Sequence, residues 1–121
     1  MTKALSDLID VDKEPGTVEC SPIPADRLLA GTPQQQTRSV YEAEDCFFVG
    51  EWSAEPGCWR IHYTEHEYFH ILEGKSIIRD AHGAERVLLP GDKLCVPAGF
   101  IGEWEVVEPT RKIYVIYERE S

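Results

Sequence analysis

From about residue 40 onward, short apolar stretches recur along the chain, and each one is bounded by a glycine, proline or aspartate. They lie at 46–49, 59–63, 68–72, 76–79, 86–89, 93–96, 103–107 and 112–117. None of them shows the sustained 3.6-residue period of an amphipathic helix. Short strands separated by turn residues predict an all-β fold, either an antiparallel sandwich or a barrel.

The first 36 residues have a different pattern. Leu5, Leu8 and Ile9 share one helical face, which favours one or two amphipathic turns before Pro15. The polar stretch at 31–36 is typical of a loop.

Two prolines, Pro22 and Pro24, limit any strand in this region to the edge of a sheet. We therefore expect residues 1–36 to form an N-terminal arm that packs on the core or on a partner subunit. Residues 37–121 are expected to form a single β-barrel domain.

The net charge of the chain limits the classes of molecule that the protein is expected to bind. The 121 residues include 12 Lys and Arg against 22 Asp and Glu, so the formal net charge is −10 at pH 7. Such a surface repels phosphate backbones and anionic lipid headgroups. We therefore expect neither a nucleic-acid nor a membrane partner, and we expect a small-molecule ligand instead.

The cysteines and the N-terminal sequence bear on the compartment. No C-x-x-C pair is present, and acidic residues begin at Asp7 without a preceding apolar signal region. The widely spaced cysteines are Cys20, Cys46, Cys58 and Cys95. We therefore expect the cysteines to be reduced thiols and the protein to be cytoplasmic.

The string His66-Glu67-Tyr68-Phe69-His70 matches the H-E-x-x-H pattern of zinc proteases. That chemistry requires a helix, whereas the surrounding sequence predicts a strand. On a strand His66 and His70 point to one side and Glu67 to the other, so they could not share a metal ion. The pattern therefore does not indicate a protease.

Two motifs resemble those of the cupin family. In the first, Gly57 opens the motif and Glu67 is followed after six residues by Gly74. In the second, the stretch 90–99 carries Gly, five residues and then Pro-x-Gly. The resemblance implies a double-stranded β-helix, also called a jelly roll, with a pocket inside the barrel.

Strings around these motifs narrow the resemblance to a subfamily. They include Gly50-x-Trp52, 67–74, 96–106 and 108–115. They are similar to small single-domain cupins of the ureidoglycine-aminohydrolase and ethanolamine-utilisation type. The similarity covers about residues 38–118.

The metal-binding positions depart from the cupin pattern. A metal cupin usually holds its ion with two His and a Glu from the first motif and one His from the second. Here Gly102 stands where the second-motif His would be, and only Glu67 and His62 remain as weak candidates for metal ligands. The sequence thus does not identify a cofactor. A divalent metal is disfavoured because stable metal sites use three or four protein ligands.

Glu67 is the candidate catalytic residue. A carboxylate facing the barrel interior needs a partner, a ligand or a proton. Arg60 or His62 could pair with it in a structural role, and a general acid or base is the functional alternative. Both roles stay open.

Aromatic residues are the candidates for the pocket wall, with ordinary core packing as the alternative. The ligand-pocket candidates are Trp52, Tyr63, Phe69 and Trp104. Lys112 could pair with an acid at the surface or reach the pocket rim, and we expect the surface position.

The sequence leaves three candidate functions. The first is binding of a small polar metabolite, nitrogenous or carboxylic, with aminohydrolase-like chemistry in which Glu67 is the acid or base. The alternatives are a non-catalytic ligand-binding module and a structural dimeric cupin. A homodimer is expected in each case, because exposed sheet edges need to be covered and two-fold pairs are the commonest assemblies.

Overall fold

The computed structural model describes residues 1–119, and strands account for most of them. The nine strands of this range are β1 (Thr17–Pro22), β2 (Leu28–Ala30), β3 (Gln34–Ala43), β4 (Phe47–Ala54), β5 (Gly57–His62), β6 (His66–Asp80), β7 (Glu85–Leu88), β8 (Lys93–Val96) and β9 (Ile101–Tyr117). Within the same range the helical structure is a 3-10 turn at Leu5–Asp7. The all-β prediction is confirmed.

Two long strands, β6 and β9, run antiparallel and pair along nearly their whole length. The first half of β9 also pairs with β5, and its second half pairs with β4. The halves therefore belong to two different layers, one continuing through β4, β3 and β1 and the other through β5 and β2. β7 and β8 cover the other side of β6. The layers pack on each other as a curled jelly roll, as the sequence predicted.

The two long strands bend where the sequence predicted that they would break. The register of β6 and β9 shifts around Gly74, which has a φ of +87° and lies against Pro109. A side chain at Gly74 would overlap the carbonyl oxygen of Pro109. The stretches 68–72 and 76–79 are therefore one bent strand, and so are 103–107 and 112–117.

The N-terminal third contributes strands to the same sheet. β1 pairs with the first half of β3, and β2 pairs with β5. The expected loop at 31–36 is wrong for Gln34–Gln36, because both β1 and β4 hydrogen-bond this polar segment into the sheet. β1 pairs only with β3 among the described residues, as expected of an edge strand.

Residues before β1 lie across the outside of the sheet. The predicted amphipathic turns reduce to the 3-10 turn, and Leu5 and Leu8 are exposed. The guanidinium of Arg38 donates to the backbone carbonyls of Val11 and Glu14, which attaches this segment to β3. Packing of the arm on a partner subunit stays a prediction.

Alternation along β6 places Glu67, Phe69 and Ile71 in the interior and leaves His66 and Tyr68 exposed. The strand interpretation of the H-E-x-x-H string is therefore confirmed, with its first histidine and its glutamate on opposite faces. Among residues 1–119 no helix has the length and apolar character needed to cross a membrane.

Gly102 provides a test of this packing. A Cβ atom at this position would overlap the backbone carbonyl of Arg79 in β6. We expect Gly102→Ala to lower the free energy of unfolding by about 1–3 kcal/mol or more, because the paired strands would have to separate.

Urea unfolding followed by tryptophan fluorescence measures this effect. Ile101→Ala, at an exposed position next to it, is the control and should change stability by less than about 0.5 kcal/mol. Equal stabilities of the two variants would show that the strands are not in close contact at Gly102.

Candidate ligand cavity

A cavity of about 410 Å³ lies inside the barrel. Its walls include all three tryptophans of the chain, Trp52, Trp59 and Trp104. The rings of Trp52 and Trp104 meet edge to face with centroids 5.7 Å apart, and those of Trp52 and Trp59 are 6.1 Å apart. Pockets of this size, with aromatic and apolar walls and a few polar groups, are typical of small-molecule sites.

Hydrogen bonds fix two of these rings. Trp52 Nε1 donates to Oε1 of Gln35 at 3.0 Å, and Trp104 Nε1 donates to Oγ of Ser76 at 3.2 Å. The Ser76 hydroxyl lies 2.7 Å from that of Thr110, which in turn donates to the carbonyl of Glu108 at 2.9 Å. Since the proton of Thr110 is used there, Ser76 donates to Thr110 and the relay runs in one direction.

A buried ion pair lies at the base of the cavity. Nζ of Lys112 is 3.0 Å from Oε2 of Glu67, and their side chains are only 7% and 4% exposed. Lys112 lies on β9 and Glu67 on β6, and both line the cavity. A carboxylate and an ammonium in this environment neutralise each other, and each would be costly to bury alone.

Aromatic rings surround the ammonium group. Nζ of Lys112 lies 4.9 Å from the ring centroid of Trp52, 4.7 Å from that of Phe69 and 4.6 Å from that of Trp104. At these distances the ring faces stabilise a cation. The rings and the carboxylate of Glu67 therefore both attract the ammonium group of Lys112.

Two tyrosine hydroxyls lie near the ion pair. Burial, and then the negative charge of Glu67, raise the pKa of Tyr63 far above its ordinary value. Burial and Glu67 also raise the pKa of Tyr114, although a hydrogen bond with Ser39 opposes the shift. Both hydroxyls therefore stay protonated at neutral pH and keep a proton to donate.

The structure brings together Glu67, Trp52, Tyr63 and Trp104, four of the residues that the sequence singled out. Phe69 does not line the cavity; it is fully buried behind it, with its ring 5.6 Å from that of Trp104. The catalytic and binding roles of these residues stay predictions.

The predicted partners of Glu67 are wrong. Arg60 and His62 alternate with the inward-facing Ile61 on β5, and both are exposed on the outside of the barrel. The partner is Lys112, which we expected at the surface but which is 6% exposed. The sequence did contain a signal for this position. Lys112, Tyr114 and Ile116 are alternate residues of one strand and so share a face, and all three line the cavity.

The donor set does not fit a metal ion. His62 lies outside the cavity, Gly102 offers no side chain, and the carboxylate of Glu67 is already paired with an ammonium. Within residues 1–119 no three His, Cys, Asp or Glu side chains cluster in a way that could hold a metal. The candidate pair His62 and Glu67 is therefore not brought together.

A scan of family models matches residues 35–114 to the EutQ-like cupin domain. This match spans well over half of the chain and includes every strand from β4 to β8. The chain belongs to the EutQ-like cupin domain family. No curated protein matches this EutQ-like cupin significantly.

Solved structures share the fold. EutQ of Clostridium difficile superposes with a TM-score of 0.64 at 18% identity, over 73% of this chain and 65% of that one. A DUF861 protein of Pseudomonas syringae superposes with a TM-score of 0.75 at 20% identity, over 84% of this chain and 44% of that one. A DUF861 protein of Thermotoga maritima superposes with a TM-score of 0.52 at 34% identity, over 53% of this chain and 73% of that one. This EutQ-like cupin thus spans less than two thirds of the first two chains.

The buried pair can be tested by a double-mutant cycle. Lys112→Met should destabilise the protein by about 3–5 kcal/mol, because it leaves the carboxylate of Glu67 buried without a cation. The double variant Glu67→Leu with Lys112→Met should recover most of that loss, because no charge remains buried.

Urea unfolding of the wild type, both single variants and the double variant gives the coupling free energy. Glu73→Gln, which removes the exposed partner of Arg111, is the control and should leave stability nearly unchanged. Additive effects of the two substitutions would contradict a direct interaction between Glu67 and Lys112.

Proposed function

We propose that this EutQ-like cupin binds a small polar metabolite, nitrogenous or carboxylic, in the barrel cavity. The observation that carries the proposal is the Glu67–Lys112 ion pair at the base of an aromatic-walled cavity of about 410 Å³. Small-molecule sites combine mostly apolar walls with a few polar groups that fix the ligand's orientation.

The energetics of the pair support a role beyond folding. A well-packed apolar pair of similar volume is often as stabilising as a buried ion pair, or more so. Stability alone therefore gives little reason to place two charges where a cavity opens onto them. A ligand that hydrogen-bonds to these groups provides a reason.

The proposed chemistry is aminohydrolase-like, with Glu67 as the acid or base. Glu67 would take a proton from an attacking water and return it to the departing nitrogen, so that a C–O bond forms as a C–N bond breaks. The ammonium group of Lys112 would stabilise the negative charge that develops on the substrate oxygen. Tyr63, beside Glu67, would orient the substrate through its hydroxyl.

A non-catalytic binding module is the second candidate. Its supporting observation is that Lys112 already neutralises Glu67 and that no metal-ligand set accompanies the pair among the described residues. Such a module would keep the cavity and its affinity without turnover.

We also propose a homodimer formed through the outer face of β6, β8 and β9. A groove on that face is lined by His66, Tyr68, Cys95, Val115 and Tyr117, none of which carries a formal charge. The carboxylate of Glu67, which also borders this groove, points inward to Lys112. On a chain of net charge −10, an uncharged face is where two copies can meet with least repulsion. A second copy is thus the proposed occupant.

A cytoplasmic location remains part of the proposal. All four cysteines are free thiols, and two of them are exposed, which suits a reducing compartment.

Ligand binding can be read from intrinsic fluorescence, because every tryptophan of the chain lines the cavity. Titration with a panel of small amines, amides, ureides and carboxylates should give at least one saturable change. Glu67→Gln should weaken that binding by about tenfold or more, because a charge-assisted contact is lost.

Glu73→Gln, outside the cavity, is the matched control and should bind as the wild type does. Mass spectrometry of each bound compound after incubation separates turnover from binding alone. Failure of every compound to bind at about 1 mM would overturn the proposed function.

The dimer is tested by light scattering at micromolar concentration. The wild type should have twice the mass of the chain, and Tyr68→Glu should be monomeric because it introduces a charge at the centre of the proposed interface. Val87→Glu, at an exposed position on β7, should remain dimeric. A monomeric wild type would defeat the proposal.

A further inference from the structure

Lys112 differs from the other lysines of the chain in its surroundings. All five lysines lie within the described residues 1–119, and among them Lys112 alone is buried. The other four are exposed or half-buried at the surface: Lys3, Lys13, Lys75 and Lys93. Lys112 also provides the one primary amine among the described residues that line the barrel cavity. A nitrogen that can act as a nucleophile therefore lies at the base of a small-molecule cavity.

The residue type is informative as well. A guanidinium is always charged and pairs with a carboxylate through two parallel hydrogen bonds, which makes arginine the usual cation of a buried structural pair. Lys112 makes a single contact of this kind, 3.0 Å from Nζ to Oε2 of Glu67. Unlike a guanidinium, an amine can release a proton and attack a carbonyl carbon. Lysine at this position thus keeps a chemistry that arginine would not offer.

The contacts of Nζ suit a protonated imine as well as an ammonium. The ring centroids of Trp52, Phe69 and Trp104 lie 4.9, 4.7 and 4.6 Å from Nζ. Both groups carry one positive charge, so the ring faces and the carboxylate of Glu67 attract either of them. Converting one into the other therefore leaves no unpaired charge in the interior, which would be costly.

Glu67 is placed to handle the proton that this conversion requires. An ammonium must lose a proton before its nitrogen can attack, and Oε2 of Glu67 at 3.0 Å is within the reach required of a general base. Tyr63 also lines the cavity, and burial together with the charge of Glu67 raises its pKa, so that its hydroxyl keeps a proton. That hydroxyl can polarise a carbonyl oxygen.

We propose, on the basis of the ligand-binding function above, that Lys112 forms an imine with a small aldehyde or ketone bound in the cavity. Lys112 passes a proton to Glu67, and its neutral nitrogen attacks the carbonyl carbon. A proton then moves from this nitrogen to the oxygen, which gives a carbinolamine. As the C–O bond breaks, Glu67 returns its proton to the departing oxygen and water leaves. Overall, the ammonium and the carbonyl compound give a protonated imine and one water, with no change in charge.

Reductive trapping tests this assignment in the wild-type protein. The protein is incubated with a panel of small aldehydes and ketones and sodium cyanoborohydride, which reduces imines in preference to carbonyl compounds, and is then digested for peptide mass mapping. At least one compound should add to Lys112 its own mass less one oxygen atom. Lys112 should react about tenfold or more faster than the four surface lysines, because binding holds the carbonyl group beside it.

Competition and two variants separate imine formation at this site from general lysine reactivity. A compound that binds without reacting should slow the labelling of Lys112 and leave the surface lysines unchanged. Lys112→Arg keeps a cation beside Glu67 but has no primary amine, so the adduct should disappear. Lys75→Arg, which removes a half-buried lysine outside the cavity, is the matched control and should be labelled at Lys112 as the wild type is.

The outcomes separate the two proposals. If compounds bind by tryptophan fluorescence but Lys112 carries no more adduct than the surface lysines, the imine assignment is wrong while the ligand-binding function stands. If no compound of either panel changes the fluorescence at about 1 mM and Lys112 stays unlabelled, both proposals fail.

Discussion

The interior of this EutQ-like cupin is organised around one constraint, the need to keep a buried carboxylate paired. Glu67 faces inward because of its place on β6, and in an aromatic interior it requires a cation within hydrogen-bonding distance. Lys112 meets that need although the residue directly opposite it on β6 is Ile71. Its side chain passes over the ring of Phe69 to reach Glu67. The aromatic walls, the tyrosine hydroxyls and the cavity all surround that contact.

The same contact accounts for how the site differs from a metal cupin. The carboxylate of the first cupin motif points into the barrel, but an ammonium from the last strand lies beside it. At Gly102 the neighbouring backbone of β6 fills the space that a side chain would need. A charged organic group therefore provides the positive charge at the base of this cavity, and the chemistry proposed for it uses proton transfer and charge stabilisation by side chains.

Much of the fold could be predicted because its signals are local. Alternation and turn residues gave β8 with the observed bounds and placed the turn after Asp80, and the spacing of glycines and prolines carried the family resemblance. The polar segment Gln34–Gln36 was missed because its strand conformation comes from pairing with β1 and β4. The pattern of apolar stretches indicates a break at Gly74, whereas the strand only bends there, because a glycine with positive φ serves a bend as well as a chain reversal.

The sequence by itself determined the all-β class, because turn residues mark the ends of short strands, and its motif spacing carried the cupin resemblance that places Glu67 in the interior. The two-residue period of a strand put Glu67 on the face opposite His66. Only the tertiary structure decided which cation Glu67 meets and that His62 and Arg60 face outward. Those facts depend on the register between strands far apart in the chain. Register is set by the packing of the whole barrel, and no local pattern records it.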